Sequence, residues 1–407
     1  MLVDNLGKTP GWSLYVHIPF CEYRCRYCDF YFETTRSRSL QTRLVDALLK
    51  ELKTLADGKD GYFQVAEFRT LYLGGGTPSA LAPDLLDRLL QGIKEIVGVP
   101  SWEGSIEANP EGITPEFLHI LEKGGITRLS VGVQSLKDEV LHTLGRRAYR
   151  TRTLEALELI RITWKGRFSL DIMTGLPGQT WDDLKGDMDT LLAFNPDHVS
   201  LYSLTMEAGT PLEELVKKRA VTLPPPGLAD ELWLKAKAEL EIRGYRWYEI
   251  SNFALPGGES RHNQVYWRLD PYAGIGPGAQ GTLWDDSVGG PVRTSNPKLF
   301  DYLSGMPAEK EVLSDRSFFL EHLITGLRTS EGVSWARLQT RFGIDLRTDW
   351  KGLWPDLQEK GWMEDSVLLS DFFVLTLRGR LLLDRVLEYL LPWSRRLAFP
   401  ENHTLRF

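Results

Sequence analysis

Tyr15-Val-His-Ile-Pro-Phe-Cys21-Glu-Tyr-Arg-Cys25-Arg-Tyr-Cys28-Asp-Phe-Tyr31 is the stretch that decides how this chain is to be read. Cys21, Cys25 and Cys28 are the only 3 cysteines among 407 residues. Thiols gathered this closely are not scattered core residues, and an odd number argues against a disulfide framework. The chemistry left for them is soft-metal ligation, and thiolates are the usual ligands of iron–sulfur clusters. A four-iron cluster takes four protein ligands when it is closed, and this stretch supplies three. One iron would then stay open to an exogenous ligand, as a catalytic zinc keeps one position open. On the residues alone two alternatives remain: a zinc site completed by His17, or three unrelated reduced thiols. Structural zinc sites usually pair their ligands across two hairpins, which this spacing does not do.

Outward from the cysteines, the apolar run 14–18 ends at Pro19 and reads as a strand feeding the loop. Apolar periodicity predicts helices over 39–55, 83–97, 115–123, 151–162 and 180–193, with strands over 68–73, 105–108, 128–133, 168–173 and 198–203. Six strand–helix units imply parallel strands joined by right-handed crossovers, too few for a full eightfold barrel. Active sites of such barrels gather at the carboxyl ends of the strands. The special residues here repeatedly fall at those ends. Pro224-Pro225-Pro226-Gly227 punctuates the chain before a helix over 228–242. Residues 246–310 are dense in Gly, Tyr and Trp, without periodicity, and read as a loop-rich cover. From about residue 317 the pattern is helical again, with an apolar run over 366–377 read as a small hairpin and a last helix over 378–391. The expected fold class is therefore α/β: a partial (β/α)6 barrel over 1–245, the cover over 246–310, and a smaller α+β, winged-helix-like domain over 311–407.

Composition narrows the class further. A hydrophobic content of 42%, a charged content of 25% and a net charge of -7 are those of an ordinary soluble protein. No basic patch dominates, so no nucleic-acid partner is expected. No apolar run approaches the roughly 18 residues of a membrane span, and residues 1–13 read as an irregular lead-in without the apolar core of a secretory signal. Without a disulfide pattern, the reducing cytoplasm is the expected compartment. The 13 tryptophans read as packing residues.

Several polar residues stand out against their strands. Gly74-Gly75-Gly76-Thr77-Pro78 follows the second strand and lets backbone approach a ligand closely. Glu107 and Asp171 place carboxylates on apolar strands, where a charge is costly unless paired. They can accept hydrogen bonds from hydroxyl or ammonium groups. Gln134 and Arg146 can fix a polar ligand, Arg147 being chemically equivalent to Arg146. A structural ion pair between Glu107 and Arg146 is the plainer alternative. His262 in His262-Asn-Gln-Val-Tyr-Trp267 is a residue type that ligates heme iron, with Tyr266 and Trp267 suited to a porphyrin face. A lone histidine is also often only a satisfied structural residue, and His17 is open to either role.

The C-x3-C-x2-C spacing, with Tyr15, Phe20, Tyr27 and Phe30 around it, resembles the signature of radical S-adenosylmethionine (SAM) enzymes. The resemblance implies a [4Fe–4S] cluster on Cys21, Cys25 and Cys28 whose open iron binds SAM. It further implies reductive cleavage of SAM to a 5′-deoxyadenosyl radical, with an electron donor such as flavodoxin or ferredoxin. Together with Gly74-Gly-Gly-Thr-Pro-Ser79, Gly132-Val-Gln-Ser135 and Asp171-Ile-Met-Thr-Gly-Leu-Pro-Gly-Gln-Thr180, the stretch resembles the oxygen-independent coproporphyrinogen III oxidase family over nearly the whole chain. That resemblance implies SAM contacts at Tyr15, Tyr27, Gly75, Gly76, Thr77, Glu107, Gln134, Arg146, Asp171 and Thr205. Two branches of the family then separate. The oxidase branch typically carries a further cysteine where this chain has Phe30. The Cys28-Asp-Phe30 ending, the Tyr248-Glu-Ile-Ser-Asn-Phe-Ala254 run and the H-N-x-x-Y-W motif at His262 are similar instead to the heme chaperone (HemW) branch. Membership there implies heme as cargo, heme-dependent proteins as acceptors and His262 as a heme contact. Many chains of that branch carry Cys and His where this one has Pro277 and Gln280, so no help with heme is expected from those two positions.

Overall fold

The expected parallel strands form, and each alternates between two chemically opposite faces. They are β1 (Trp12–Ile18), β2 (Phe68–Gly75), β3 (Glu103–Ala108), β4 (Arg128–Gln134), β5 (Arg167–Thr174) and β6 (His198–Ser203). On one face lie Leu14, Val16, Ile18, Leu71, Leu73, Ile106, Leu129, Val131, Leu170, Ile172, Val199 and Leu201, none more than 2% exposed. On the other lie Tyr15, His17, Thr70, Tyr72, Glu103, Ser105, Glu107, Arg128, Ser130, Ser169, Asp171, His198 and Ser200. In-register pairing carries this second face across the sheet: Tyr15 opposite Tyr72, Tyr72 opposite Ser105, Glu107 opposite Ser130, and Asp171 opposite Ser200. A period of two puts alternate side chains on opposite faces, so the polar set is a pattern and Glu107 and Asp171 are two members of it.

The aliphatic face is covered by α1 (Arg38–Ala56), α2 (Pro83–Val97), α3 (Pro115–Lys123), α4 (Arg150–Thr163), α5 (Trp181–Leu192) and α6 (Pro226–Ile242), whose buried leucines join one core with the strands. Local chemistry fixes the helix ends. Pro83 occupies the first turn of α2, where its missing N–H costs nothing, and Gly98 ends the helix at φ 86°. Thr180 and Asp183 form a reciprocal capping box at the start of α5, with bonds of 3.2 and 3.0 Å.

This is the fold of a computed structural model that describes residues 11–34, 37–58, 66–397 and 399. Residues 1–10 of the expected lead-in and 400–407 at the carboxyl end lie outside the described residues. Among the described residues the sheet has 12 strands, with β1-β2-β3-β4-β5-β6 adjacent in that order and further strands on both sides. The six expected strands are its centre, which corrects the expectation of a six-stranded sheet. The added strands come mostly from the segment read as loop: β7 (Arg246–Glu249), β8 (Asn252–Ala254), β9 (Tyr272–Ile275), β10 (Gln280–Asp285), β11 (Gly290–Ser295), with β12 (Glu309–Val312) after it. β9 pairs parallel with β1, while β8 pairs antiparallel with β6. These strands are only three to six residues long, too short to carry a clear periodic signal. At Gly274 a Cβ would lie 1.9 Å from the Gln280 carbonyl oxygen, so only glycine lets β9 and β10 close together.

The carboxyl-terminal region has its own core, built from Phe318 and Phe319 of α8 (Asp315–Gly326), Leu338 and Phe342 of α9 (Trp335–Phe342), and Trp350, Trp354 and Phe373. The expected hairpin over 366–377 does not form. Residues Asp365–Leu369 make a 3-10 turn, and Phe372–Phe373 pairs instead with Val333–Ser334, on the far side of the intervening helices. The last helix breaks into Leu377–Leu381 and Leu383–Ser394.

Candidate functional site

β1 delivers the cysteine loop to the carboxyl edge of the sheet. Phe20–Cys21 pairs parallel with Glu33–Thr34, closing the loop, and the Arg26 N–H donates to the Leu144 carbonyl at 2.8 Å. Cys21, Cys25 and Cys28 line one cavity of about 410 Å³, the scale of a pocket for a cofactor-sized ligand. Cys21 Sγ lies 3.5 Å from Thr77 Oγ1. Burial pushes the Cys21 thiol up to about 11, with Thr77 opposing it. Among the described residues no three His, Cys, Asp or Glu side chains stand close enough to hold a single metal ion. One zinc would draw its thiolates to within about 4 Å of each other, so the zinc reading fits poorly; a multi-iron cluster needs them wider apart.

Of the other residues singled out by sequence, Tyr27, Gly75, Gly76 and Thr77 line the same cavity, and so do Glu107, Gln134, Arg146, Asp171 and Thr205. Gly75 and Gly76 are needed for packing as much as for a ligand. At φ 112°, a Cβ on Gly75 would lie 2.7 Å from His17 Nε2, and one on Gly76 would lie 2.6 Å from the Pro19 carbonyl oxygen. Glu107 accepts from the Tyr72 hydroxyl at 2.8 Å, and Ser130 donates to Asp171 at 3.4 Å. Burial raises both carboxyls, Glu107 to about 7, with the nearby Asp171 adding to the rise and Tyr72 opposing it. Gln134 sits where the register between β4 and β5 slips, at φ 72°, a left-handed conformation that a non-glycine residue adopts only at a cost.

Arg146 is 5% exposed. It donates to the Gly132 carbonyl and, at 3.7 Å, to Cys25 Sγ, while its buried Nε finds no partner. No ion pair joins it to Glu107 among the described residues, which removes that alternative. Burial opposes its charge, but Tyr27 and Cys25 outweigh it and hold the guanidinium firmly protonated. Arg147 points elsewhere, its guanidinium 4.9 Å from the centre of the Tyr23 ring. The sequence reading missed Asn109 and Glu111, which also line the cavity; Asn109 donates to Thr77 at 3.4 Å and Glu111 accepts from Tyr23 at 2.5 Å. Their signal lies in Glu107-Ala-Asn-Pro-Glu111, where each follows the strand end by a few positions.

Two expected contacts are not brought to the cavity. Tyr15 lies lower on the polar face, its hydroxyl 3.0 Å from His17 Nδ1. His262, in α7 (Arg261–Trp267), lies at the amino ends of β2 and β3 and is 0% exposed. Its Nδ1 is 2.7 Å from Thr70 Oγ1 and its Nε2 2.8 Å from the Tyr266 hydroxyl. Both ring nitrogens are therefore engaged within the protein. The expected SAM cavity and His262 therefore lie at opposite ends of the same strands.

A parallel α/β sheet with three loop thiols converging at its carboxyl end defines a radical SAM protein. Residues 15–191 match the model of the radical SAM superfamily, and residues 313–382 that of the HemN C-terminal domain. The heme chaperone HemW of Bacillus subtilis (strain 168) is 34% identical over 382 residues, covering 91% of this chain and 96% of that protein. The heme chaperone HemW of Mycobacterium tuberculosis (strain ATCC 25618 / H37Rv) is 34% identical over 404 residues, covering 96% and 97%. The mouse mitochondrial radical S-adenosyl methionine domain-containing protein 1 is 33% identical over 422 residues, covering 98% and 94%. The chain belongs to the HemW family of heme chaperones. In fold it is similar to coproporphyrinogen III oxidase (HemN) from Escherichia coli, with a TM-score of 0.76 at 22% identity over 95% of this chain and 91% of that one.

Proposed function

We propose that this protein binds a [4Fe–4S] cluster and SAM in the cavity and carries heme to acceptor proteins. The observation that carries the reading is the convergence of all three cysteines and nine of the expected SAM residues on one cavity. The residues fit these groups. Three thiols supply three cluster ligands, the unpartnered Arg146 Nε is a donor awaiting an acceptor, and at Gly132 a Cβ would crowd Gln134 Nε2 at 3.2 Å. When bound, the cluster would supply one-electron reducing chemistry beside SAM. Cys21, Cys25 and Cys28 would hold the cluster, and Gln134 and Arg146 would orient the polar ends of SAM. Glu107 and Asp171, whose neutral forms burial favours, accept hydrogen bonds from its hydroxyl and ammonium groups. Gly75, Gly76, Thr77, Tyr27 and Thr205 shape the wall.

Heme is cargo in this reading, and heme-dependent proteins are its acceptors, by likeness to the HemW chaperones. An electron donor of the flavodoxin or ferredoxin class would reduce the cluster, and the cytoplasm is the compartment that suits it. No helix among the described residues is long and apolar enough to cross a membrane. Residues 1–245, 246–310 and 311–407 are proposed as barrel, cover and carboxyl-terminal domain. The test is anaerobic: reconstitute the cluster, titrate heme while following the Soret band, and assay coproporphyrinogen decarboxylation with SAM and reductant. Stoichiometric heme binding without decarboxylation is the expected result. Turnover to protoporphyrinogen without heme binding would replace the chaperone by the oxidase.

A further inference from the structure

The H-N-x-x-Y-W segment has no contact with the cavity, yet it is built into the polar face directly beneath it. Glu103 at the foot of β3 anchors the start of α7, accepting from the backbone N–H groups of Arg261 and His262 at 3.2 Å each and from Ser260 Oγ at 3.4 Å. With its helix held there, the His262 ring stacks on Tyr72, centroids 5.1 Å apart and planes 25° apart. Tyr266 meets His262 edge-on at 4.9 Å and packs in turn against Tyr272 at 4.7 Å. Tyr72 spans the gap upward: its hydroxyl donates to Glu107, which lines the cavity.

We propose that His262 and Tyr266 are positioning residues of the SAM site, forming the floor that holds Tyr72 and, through its hydroxyl, aims the Glu107 carboxyl into the cavity. The proposal rests on the reading of the cavity as a SAM site. Three features of the structure carry it. The His262 ring has a hydroxyl partner on each nitrogen, so it cannot rotate without breaking a bond to Thr70 or Tyr266. Burial and the nearby Arg128 keep it neutral, so it adds no charge beneath Glu107. Finally, Gly74 makes room for the Tyr72–Glu107 pair: a Cβ there would lie 2.9 Å from the Tyr72 ring and 3.2 Å from the Glu107 carboxyl carbon, so any other residue would push the pair out of place.

The experiment measures SAM affinity by equilibrium dialysis on the cluster-loaded protein, for wild type, Tyr72→Phe, His262→Ala, Tyr266→Phe and the Tyr72→Phe/His262→Ala pair. Heme titration and thermal unfolding are run on each. Each of the Tyr72 and His262 substitutions should weaken SAM binding on the order of tenfold, the scale of one buried hydrogen bond to an acid. The double variant should bind SAM no worse than Tyr72→Phe alone, because both act through one hydroxyl; a merely structural effect of His262 would add to it. Tyr266→Phe keeps the ring and the fold and should give a smaller loss of the same kind. Heme affinity should stay within about twofold of wild type, and additive or absent effects on SAM would overturn the proposal. Loss of heme binding with SAM affinity intact would overturn it in favour of heme ligation by His262. A wild-type protein that binds no SAM would overturn the reading of the cavity and this proposal with it, whereas tight wild-type binding with unchanged variants overturns the proposal alone.

Discussion

At the carboxyl ends of the central strands the polar face is left short of partners, while at the amino ends the same face is closed upon itself. Above, Arg146 Nε has no acceptor, two carboxyls are held toward their neutral forms, and Gln134 is kept at a positive φ. Below, His198 bonds Ser169 and Tyr248 at 2.8 Å each, His262 bonds Thr70 and Tyr266, and Glu103 takes three donors from α7 and Ser260. One alternating pattern along each strand supplies both ends. The difference teaches that unsatisfied polar groups, rather than polar groups as such, mark where a ligand belongs.

The comparison is broken most decisively at the cysteines. Cys25→Ala should lower bound iron from about four per chain to near none after reconstitution, read by iron and sulfide analysis. If iron stays, the carboxyl end is not the cluster site. At the other end, Glu103→Ala removes the acceptor for four donors, from Ser105, Ser260, Arg261 and His262, and should cost about 2–4 kcal/mol in denaturant unfolding. An effect below about 0.5 kcal/mol, the scale of an ordinary surface substitution, would show that the lower network is not what holds α7.

Glu107→Gln sharpens the contrast through pH. In the folded protein burial holds the carboxyl protonated up to about pH 7, whereas the ordinary value is 4.5. The unfolded chain therefore loses that proton first, and stability falls with rising pH between those values and levels off above them. Glu107→Gln should remove that slope, and urea midpoints across the window measure it. The same ionisation should strengthen binding of the cationic SAM above pH 7, by about tenfold in wild type and not in the variant. The smallest effect is expected at Gln134→Gly. Relief of the left-handed backbone, offset by the freedom of glycine in the unfolded chain, should raise stability by at most about 1 kcal/mol. SAM affinity should fall in the same variant, since the side chain leaves the cavity wall.

Much of the upper site was legible because covalent order and strand ends place it: the cysteines follow β1, the glycines end β2, and Glu107, Gln134 and Asp171 sit on β3 to β5. Less legible was the choice between Arg146 and Arg147. Adjacent residues in a turn point in different directions, and packing sent one to Cys25 and the other onto Tyr23. The position of His262 was not legible, for a different reason. A motif records which residues occur together, not which end of a sheet their helix will reach. The six added strands escaped notice because they are short and take their pairing from neighbours already in place.

The sequence by itself determined the ligand chemistry and the centre of the fold. Three thiols in one loop admit few roles, and strand–helix alternation admits few topologies. Only the tertiary structure decided which polar residues are spent on one another and which are left to meet a ligand. That division depends on register, helix docking and burial across distant segments. A hydrogen bond such as Thr70 to His262, between residues 192 positions apart, has no counterpart in local sequence.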